Sequence, residues 1–158
     1  MAGLQAIATA RRLGAIVEGF DVRAAAGEAV RSLGARFLEV DMGGVQTEDA
    51  GGYAREVTEE VMDRSRELIA KQAALTDCIV TSAQVPGKRA PILVTEQAVS
   101  AMKRGSVIVD LAGATGGNCA LTRPGEEIEV NGVRILAPLN LAATVPLHAS
   151  QLYSRNLT

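Results

Sequence analysis

Gly3-Leu4-Gln5-Ala6 opens an apolar run that ends on Arg11-Arg12-Leu13-Gly14, and Ala15-Ile16-Val17-Glu18-Gly19-Phe20 then closes on Asp21. A small residue at the head of a helix, followed by a strand with a carboxylate at its tip, is the second half of a dinucleotide-binding unit. In the complete unit a strand and G-x-G-x-x-G come first, with the acidic residue about 20 residues further on. With Gly3 as the third glycine, Asp21 stands 18 residues beyond it, and the first glycine falls ahead of Met1. The stretch predicts a mostly parallel α/β sheet without its first strand.

The same alternation continues outward, as parallel βαβ units require. Leu4 to Leu13 reads as a helix stopped at Gly14, and Ala15 to Phe20 as a strand. Ala24 to Leu33 reads as a helix stopped at Gly34, and Arg36 to Val40 as a short strand. The glycine-rich Asp41 to Ala54 reads as a mobile loop. Thr58 is followed three residues on by Val61, not Glu or Gln, so it opens no capping box. Val57 to Leu75 nevertheless keeps helical spacing.

Asp77 to Thr81 reads as a strand, and Thr95 is an N-cap candidate for a helix through Lys103. Ser106 to Leu111 is apolar almost throughout, as a strand covered on both faces should be. Asn131-Gly132, between Glu127–Val130 and Val133–Leu136, is the strongest short hairpin signal. Pro146 to Leu157 reads as a closing helix.

Composition narrows the function. A length of 158 residues suits one domain, 1–158, with a real core. Sixteen basic against 18 acidic residues give no footprint for nucleic acid. No run approaches the ~20 apolar residues of a membrane span, and no basic region precedes the first apolar stretch. Cys78, Cys119 and the single His148 make neither a zinc cluster nor a disulfide framework, so no metal site is expected. Two free thiols fit a reducing cytosol.

Several strand ends invite chemistry. Asp21 suits hydrogen bonding to both hydroxyls of an adenine ribose, and it would repel a 2′-phosphate, favouring NAD over NADP. Arg23 blurs that preference, since a cation suits phosphate; equally, Asp21 caps the following helix and no more. Gly51-Gly52-Tyr53 reads either as a flexible cover with an apolar tip or as a solvated loop. Thr81-Ser82-Ala83-Gln84-Val85-Pro86-Gly87 leaves a strand at the end where open α/β sheets bind ligands. Asp110-Leu111-Ala112 runs on to Gly116-Gly117-Asn118. There backbone N–H groups and the Asn118 amide would orient a ligand, or Asp110 only braces the loop. His148 reads as structural, and neither cysteine has a base near it in sequence.

Taken in order, Gly3 to Ala10, Asp21-Val22-Arg23, Ala50 to Glu56, Thr81 to Pro91, Gly105 to Ala112, Gly116-Gly117-Asn118, Pro124-Gly125-Glu126 and Leu152 to Asn156 resemble the NAD(H)-binding domain I of proton-translocating NAD(P) transhydrogenase. The resemblance spans essentially the whole chain. It implies a Rossmann-like, doubly wound fold, here without the family's first strand and N-terminal lobe. It implies hydride transfer from NADH to NADP held on a partner domain, with a membrane domain coupling the transfer to proton movement. Such a chain is cytoplasmic, peripheral to the membrane through its partner subunits, and homodimeric.

Carried over by position, Gly3 belongs to the glycine motif, and Asp21, Val22 and Arg23 hold the adenosine end. Gly52 and Tyr53 belong to the loop that closes over the nucleotide, and Gln84 lies near the cofactor where the family usually has Leu. Ser65, where the family often has Gln, lies near it too. No residue is assigned a catalytic role. The related alanine dehydrogenase carries a catalytic Asp in the loop that here reads Gly113-Ala114-Thr115. Without a carboxylate there, amino-acid oxidation lacks its proton carrier. Transhydrogenases often have Glu near Ala114, but hydride passing between two nicotinamides needs no acid–base group. The competing reading is a truncated, non-catalytic fragment or interaction domain of the same fold; an alanine-dehydrogenase-like oxidoreductase ranks below both.

Overall fold

The alternating pattern folds into helices and strands largely where the spacing puts them. The structure, a computed structural model, describes residues 2–40 and 58–157. In chain order it has α1 (Ala2–Arg12), β1 (Glu18–Phe20), α2 (Ala26–Ser32), β2 (Arg36–Leu38), α3 (Glu59–Ala73), β3 (Cys78–Thr81) and α4 (Glu96–Ala101). After these come β4 (Val107–Asp110), a single 3-10 turn (Gly113–Thr115), β5 (Glu127–Val130), β6 (Val133–Leu136), α5 (Leu141–Thr144) and α6 (Pro146–Leu157).

Among the described residues the strands form two sheets, β1-β2 and β3-β4-β6-β5. Every pairing is parallel except β5 with β6. The expected mostly parallel α/β architecture is therefore present, with β1 and β3 each paired on one side only. Strand β1 is shorter than the predicted Ala15 to Phe20, because β2 opposes only Glu18, Gly19 and Phe20. Ile16 is left 96% exposed.

Caps fix the helix starts. The Thr58 hydroxyl accepts from the Val61 N–H at 3.4 Å, so Thr58 caps α3 even without the reciprocal carboxylate of a capping box. Thr95 caps α4 through the Ala98 N–H at 3.1 Å, as its sequence position predicts. The β5-β6 turn is also as predicted, with Asn131 at φ 55° and Gly132 at φ 80°. Two consecutive left-handed residues match the twist of the strands, and Asn and Gly tolerate them best.

The core lies on one face of the larger sheet. Ile108 and Ile135 there are essentially fully buried against Ala98 and Val99 of α4 and Ala73 of α3. Truncating either isoleucine to Ala would cost about 2–5 kcal/mol through lost transfer energy and a cavity. The opposite face corrects the prediction for β4. Val107 and Val109 are only half-buried and Val80 on β3 is exposed, so the strand is not covered on both sides.

Helix α1 joins the two sheets. Its Ile7 comes within 3.2 Å of the place a Cβ would take on Gly19 of β1. Near its start, Gly3 stands against Ser82, just past β3. Helix α1 therefore touches both strands, its first turn at the carboxyl end of β3 and its middle at the centre of β1. At the far end of the chain, α6 leaves Leu147, Leu152, Tyr153 and Leu157 exposed, so it does not close over the core. No described helix is long and apolar enough to cross a membrane.

Candidate functional site

Strand β1 ends at Phe20 and delivers Asp21 to the carboxyl edge of the sheet. Arg23 folds back on it: its backbone N–H donates to Oδ1 at 2.9 Å, its Nε to Oδ1 at 3.0 Å and its Nη2 to Oδ2 at 2.8 Å. Helix α2 has Ala25 at its N-cap, with no side-chain cap. Asp21 is thus no helix cap, and its carboxylate stays on the strand tip about one-third exposed.

Asp21, Val22 and Ala24 line a concavity of about 220 Å³ with Phe37, Glu39 and Val40 from the end of β2. That is below the ~300–1,000 Å³ of a whole ligand pocket and suits one portion of a larger ligand. Glu39 and Phe37 escape a linear reading, although Phe37 sits on β2 and Glu39 just past its end, beside the acidic strand tip. Arg31 pairs with Glu39 and lies 5.4 Å over the Phe37 ring. A larger, open concavity of about 530 Å³ runs along Gln5, Ala8, Arg12 and Leu33, toward the C-terminal ends of α1 and α2. It lies away from the strand ends and gathers no carboxylate.

Beyond β3, Ser82 and Gln84 are exposed and Ala83 is half-buried. Gly3 is not sterically forced, since a Cβ there would stand 3.5 Å from Ser82 Oγ, an ordinary contact. Gln84 shares this strand end with Gly3, whereas Asp21, Val22 and Arg23 gather at β1. Gly52 and Tyr53 lie outside the described residues, as does the predicted loop Asp41 to Ala54.

Past β4 the structure chooses between the two readings of Asp110. Fully buried, its carboxylate accepts from the Ala112 N–H at 3.0 Å, the Asn118 N–H at 2.7 Å, the Cys119 N–H at 3.0 Å and the Thr122 hydroxyl at 2.6 Å. Asp110 braces the loop. The loop's own N–H groups close turns: Gly116 donates to Gly113 and Gly117 to Ala112. The Asn118 amide accepts from the Ala83 N–H at 2.9 Å and donates to the Ala83 and Pro91 carbonyls at 2.9 and 2.8 Å. Both amide hydrogens and the oxygen are engaged by backbone groups, and the side chain is buried, so it orients protein and not a ligand directly.

Other candidates resolve simply. Ser65 is fully buried and donates to the Val61 carbonyl at 2.7 Å, so its hydroxyl is satisfied within α3. Ala114 is exposed in the 3-10 turn, and His148 is exposed on α6. Burial pushes the Cys119 thiol up, and partial desolvation does the same at Cys78, the opposite of an activated nucleophile. Among the described residues no three His, Cys, Asp or Glu come together to hold a metal.

Parallel strands with loops gathered at their carboxyl ends, an acidic tip on β1 and a helix N-terminus alongside define a Rossmann-like α/β domain. The chain belongs to the alanine dehydrogenase/PNT C-terminal domain family, whose model matches residues 1–158. It is 49% identical over 158 residues to a curated NAD(P) transhydrogenase alpha-subunit chain of Rhodospirillum rubrum, covering 99% of this chain and 41% of that protein. It is 47% identical over 161 residues to NAD(P) transhydrogenase subunit alpha of Haemophilus influenzae, covering 31% of it. The crystal structure of transhydrogenase from Sinorhizobium meliloti superposes with a TM-score of 0.77 at 44% identity, covering 99% of this chain and 39% of that one. An L-alanine dehydrogenase structure superposes with a TM-score of 0.67 at 29% identity, over 90% of this chain and 35% of that one. The chain thus spans less than half the length of these relatives.

Proposed function

We propose that residues 1–158 form one domain that is the NAD(H)-binding portion of a transhydrogenase alpha subunit, passing hydride from NADH to NADP held on a partner domain. The observation that carries this is the placement of Asp21. A carboxylate on the tip of β1, beside Val22, Phe37 and Glu39, is what a ribose diol and a flat base require. Two carboxylates in one concavity disfavour a 2′-phosphate. Like charges at about 4 Å repel by roughly 1 kcal/mol in water and about 4 kcal/mol at an effective dielectric of 20.

The N-terminus of α1, beside Ser82, suits the pyrophosphate, since unpaired N–H groups and the helix dipole favour anions there. The cofactor supplies the hydride. The chain's own work is to hold it, exclude water and aim it, with no proton carrier required. Gly113-Ala114-Thr115 has no carboxylate and Asp110 is fully engaged, which argues against amino-acid oxidation by this chain. Its partners on this reading are the NADP-binding and membrane portions of the enzyme and a second copy of itself, with the domain on the cytoplasmic side.

The second reading is a non-catalytic piece of the same fold, favoured by one observation: Arg23 already engages both oxygens of Asp21. Titration of the purified chain with NADH, followed by nicotinamide fluorescence, separates the two. Saturable binding tighter than millimolar, about 4 kcal/mol, supports the first. Absence of binding in large excess leaves the second.

A further inference from the structure

We propose that Asn118 is a positioning residue that sets the loop after β3 against the nicotinamide half of the dinucleotide, acting through Ala83; this rests on the reading that NAD(H) binds at the strand ends. The side-chain amide of Asn118 pairs with both the N–H and the C=O of Ala83, as a neighbouring strand would, and ties in the Pro91 carbonyl as well. Its backbone is fixed in turn. The Asn118 N–H donates to Asp110, and its carbonyl accepts from Leu93 and Val94 at 2.8 and 3.0 Å. The side chain is fully buried, so nothing but protein competes for it. A second link, from the Ala90 N–H to the Thr115 carbonyl at 2.9 Å, holds the same two loops together.

The direction of the ligand follows from the strand order. A dinucleotide held by its ribose at Asp21 runs past the N-terminus of α1, where Gly3 adjoins Ser82. Its other half then lies over the segment beginning at Ser82 and Ala83. That segment is only four residues from β3 to Pro86, and Asn118 is its anchor. Asparagine supplies one acceptor and two donors in a plane; aspartate supplies acceptors only and would face two carbonyls.

The test compares NADH with ADP-ribose, which lacks nicotinamide, on wild type, Asn118→Asp and Ala83→Gly. Ala83→Gly loosens the same segment without placing a charge in the interior, so it stands in where Asn118→Asp fails to fold. We expect NADH affinity to fall at least tenfold in Asn118→Asp and at least threefold in Ala83→Gly. ADP-ribose affinity should stay within twofold in both. A purely structural role lowers both ligands together or only the melting temperature, leaving the NADH to ADP-ribose ratio unchanged, and that result overturns the proposal. Wild-type protein that binds neither ligand overturns the strand-end reading and this proposal with it. Wild-type binding with an unaltered ratio in both variants overturns this proposal alone.

Discussion

Arg23 grips Asp21 from both backbone and guanidinium, with Nη2 2.8 Å from Oδ2 and Nε 3.0 Å from Oδ1. The acid that suits a ribose is therefore already ion-paired, and a nucleotide binding there would share it with Arg23 or take its place. This predicts opposite signatures for the two residues. Asp21→Ala should weaken NADH binding by roughly 1–3 kcal/mol, the worth of hydrogen bonds to a charged acceptor. Arg23→Ala should leave NADH within about threefold but sharpen discrimination against NADPH, because the cation that offsets Asp21 is gone. Fluorescence titration with both nucleotides checks each; equal NADH losses in the two variants would contradict it.

Asp110 is a buried anion held by four donors. Asp110→Asn turns an amide NH2 toward groups that also donate, so it should destabilise the domain by about 3–5 kcal/mol. Gly117→Ala attacks the same cage from outside. A Cβ at that position would stand 2.5 Å from Thr122 Cγ2 and 2.7 Å from Asp110 Oδ2, on a residue at φ 82°. Urea unfolding should show both variants strongly destabilised, whereas loss below about 1 kcal/mol would show that the loop repacks freely.

Thr81 makes the contrasting case. Its hydroxyl is buried without a hydrogen-bond partner in the structure, so it gains nothing from being polar. Thr81→Val should be neutral or stabilising by thermal melting. A drop of several degrees would mean an ordered water satisfies that oxygen.

The buried thiol of Cys119 predicts a pH slope. Burial raises its folded pKa above the ordinary 9.0. In the unfolded chain the thiol ionises near that value while the folded thiol stays neutral. The stability it contributes is therefore full below about pH 9 and is lost as pH rises toward the folded pKa. Unfolding measured from pH 8 to 10 should be steeper in wild type than in Cys119→Ala, with Cys78, also raised, accounting for some of the remaining slope. An identical slope in the variant would refute this.

What the sequence made legible was local. Asn131-Gly132, Thr95 and the acidic tip Asp21 act through neighbours within a few residues, and spacing captures that. Asp110 drew two readings because its donors come 2, 8, 9 and 12 residues away, and only folding gathers them. The bond from Asn118 to Ala83 spans 35 residues, so the amide looked free for a ligand. Ser65 drew notice only through the family resemblance, and folding shows its hydroxyl spent on the Val61 carbonyl one turn back. Phe37 and Glu39 went unmarked because they join Asp21 across a strand pairing, not along the chain. Ala15 and Ile16 read as strand from apolar character alone, yet the ladder to β2 begins only at Val17, whose carbonyl accepts from the Arg36 N–H at 3.0 Å.

The seam between β1 and β3 has no ladder hydrogen bonds among the described residues, and α1, which spans it, has no fully buried residue. Its two banks are held less firmly than either sheet is held within itself. A ligand anchored at Asp21 on one bank and above Ser82 on the other would then be a tie-beam as well as a reactant. Its affinity would be paid back as cohesion, and the two sheets would melt as one body when it is bound.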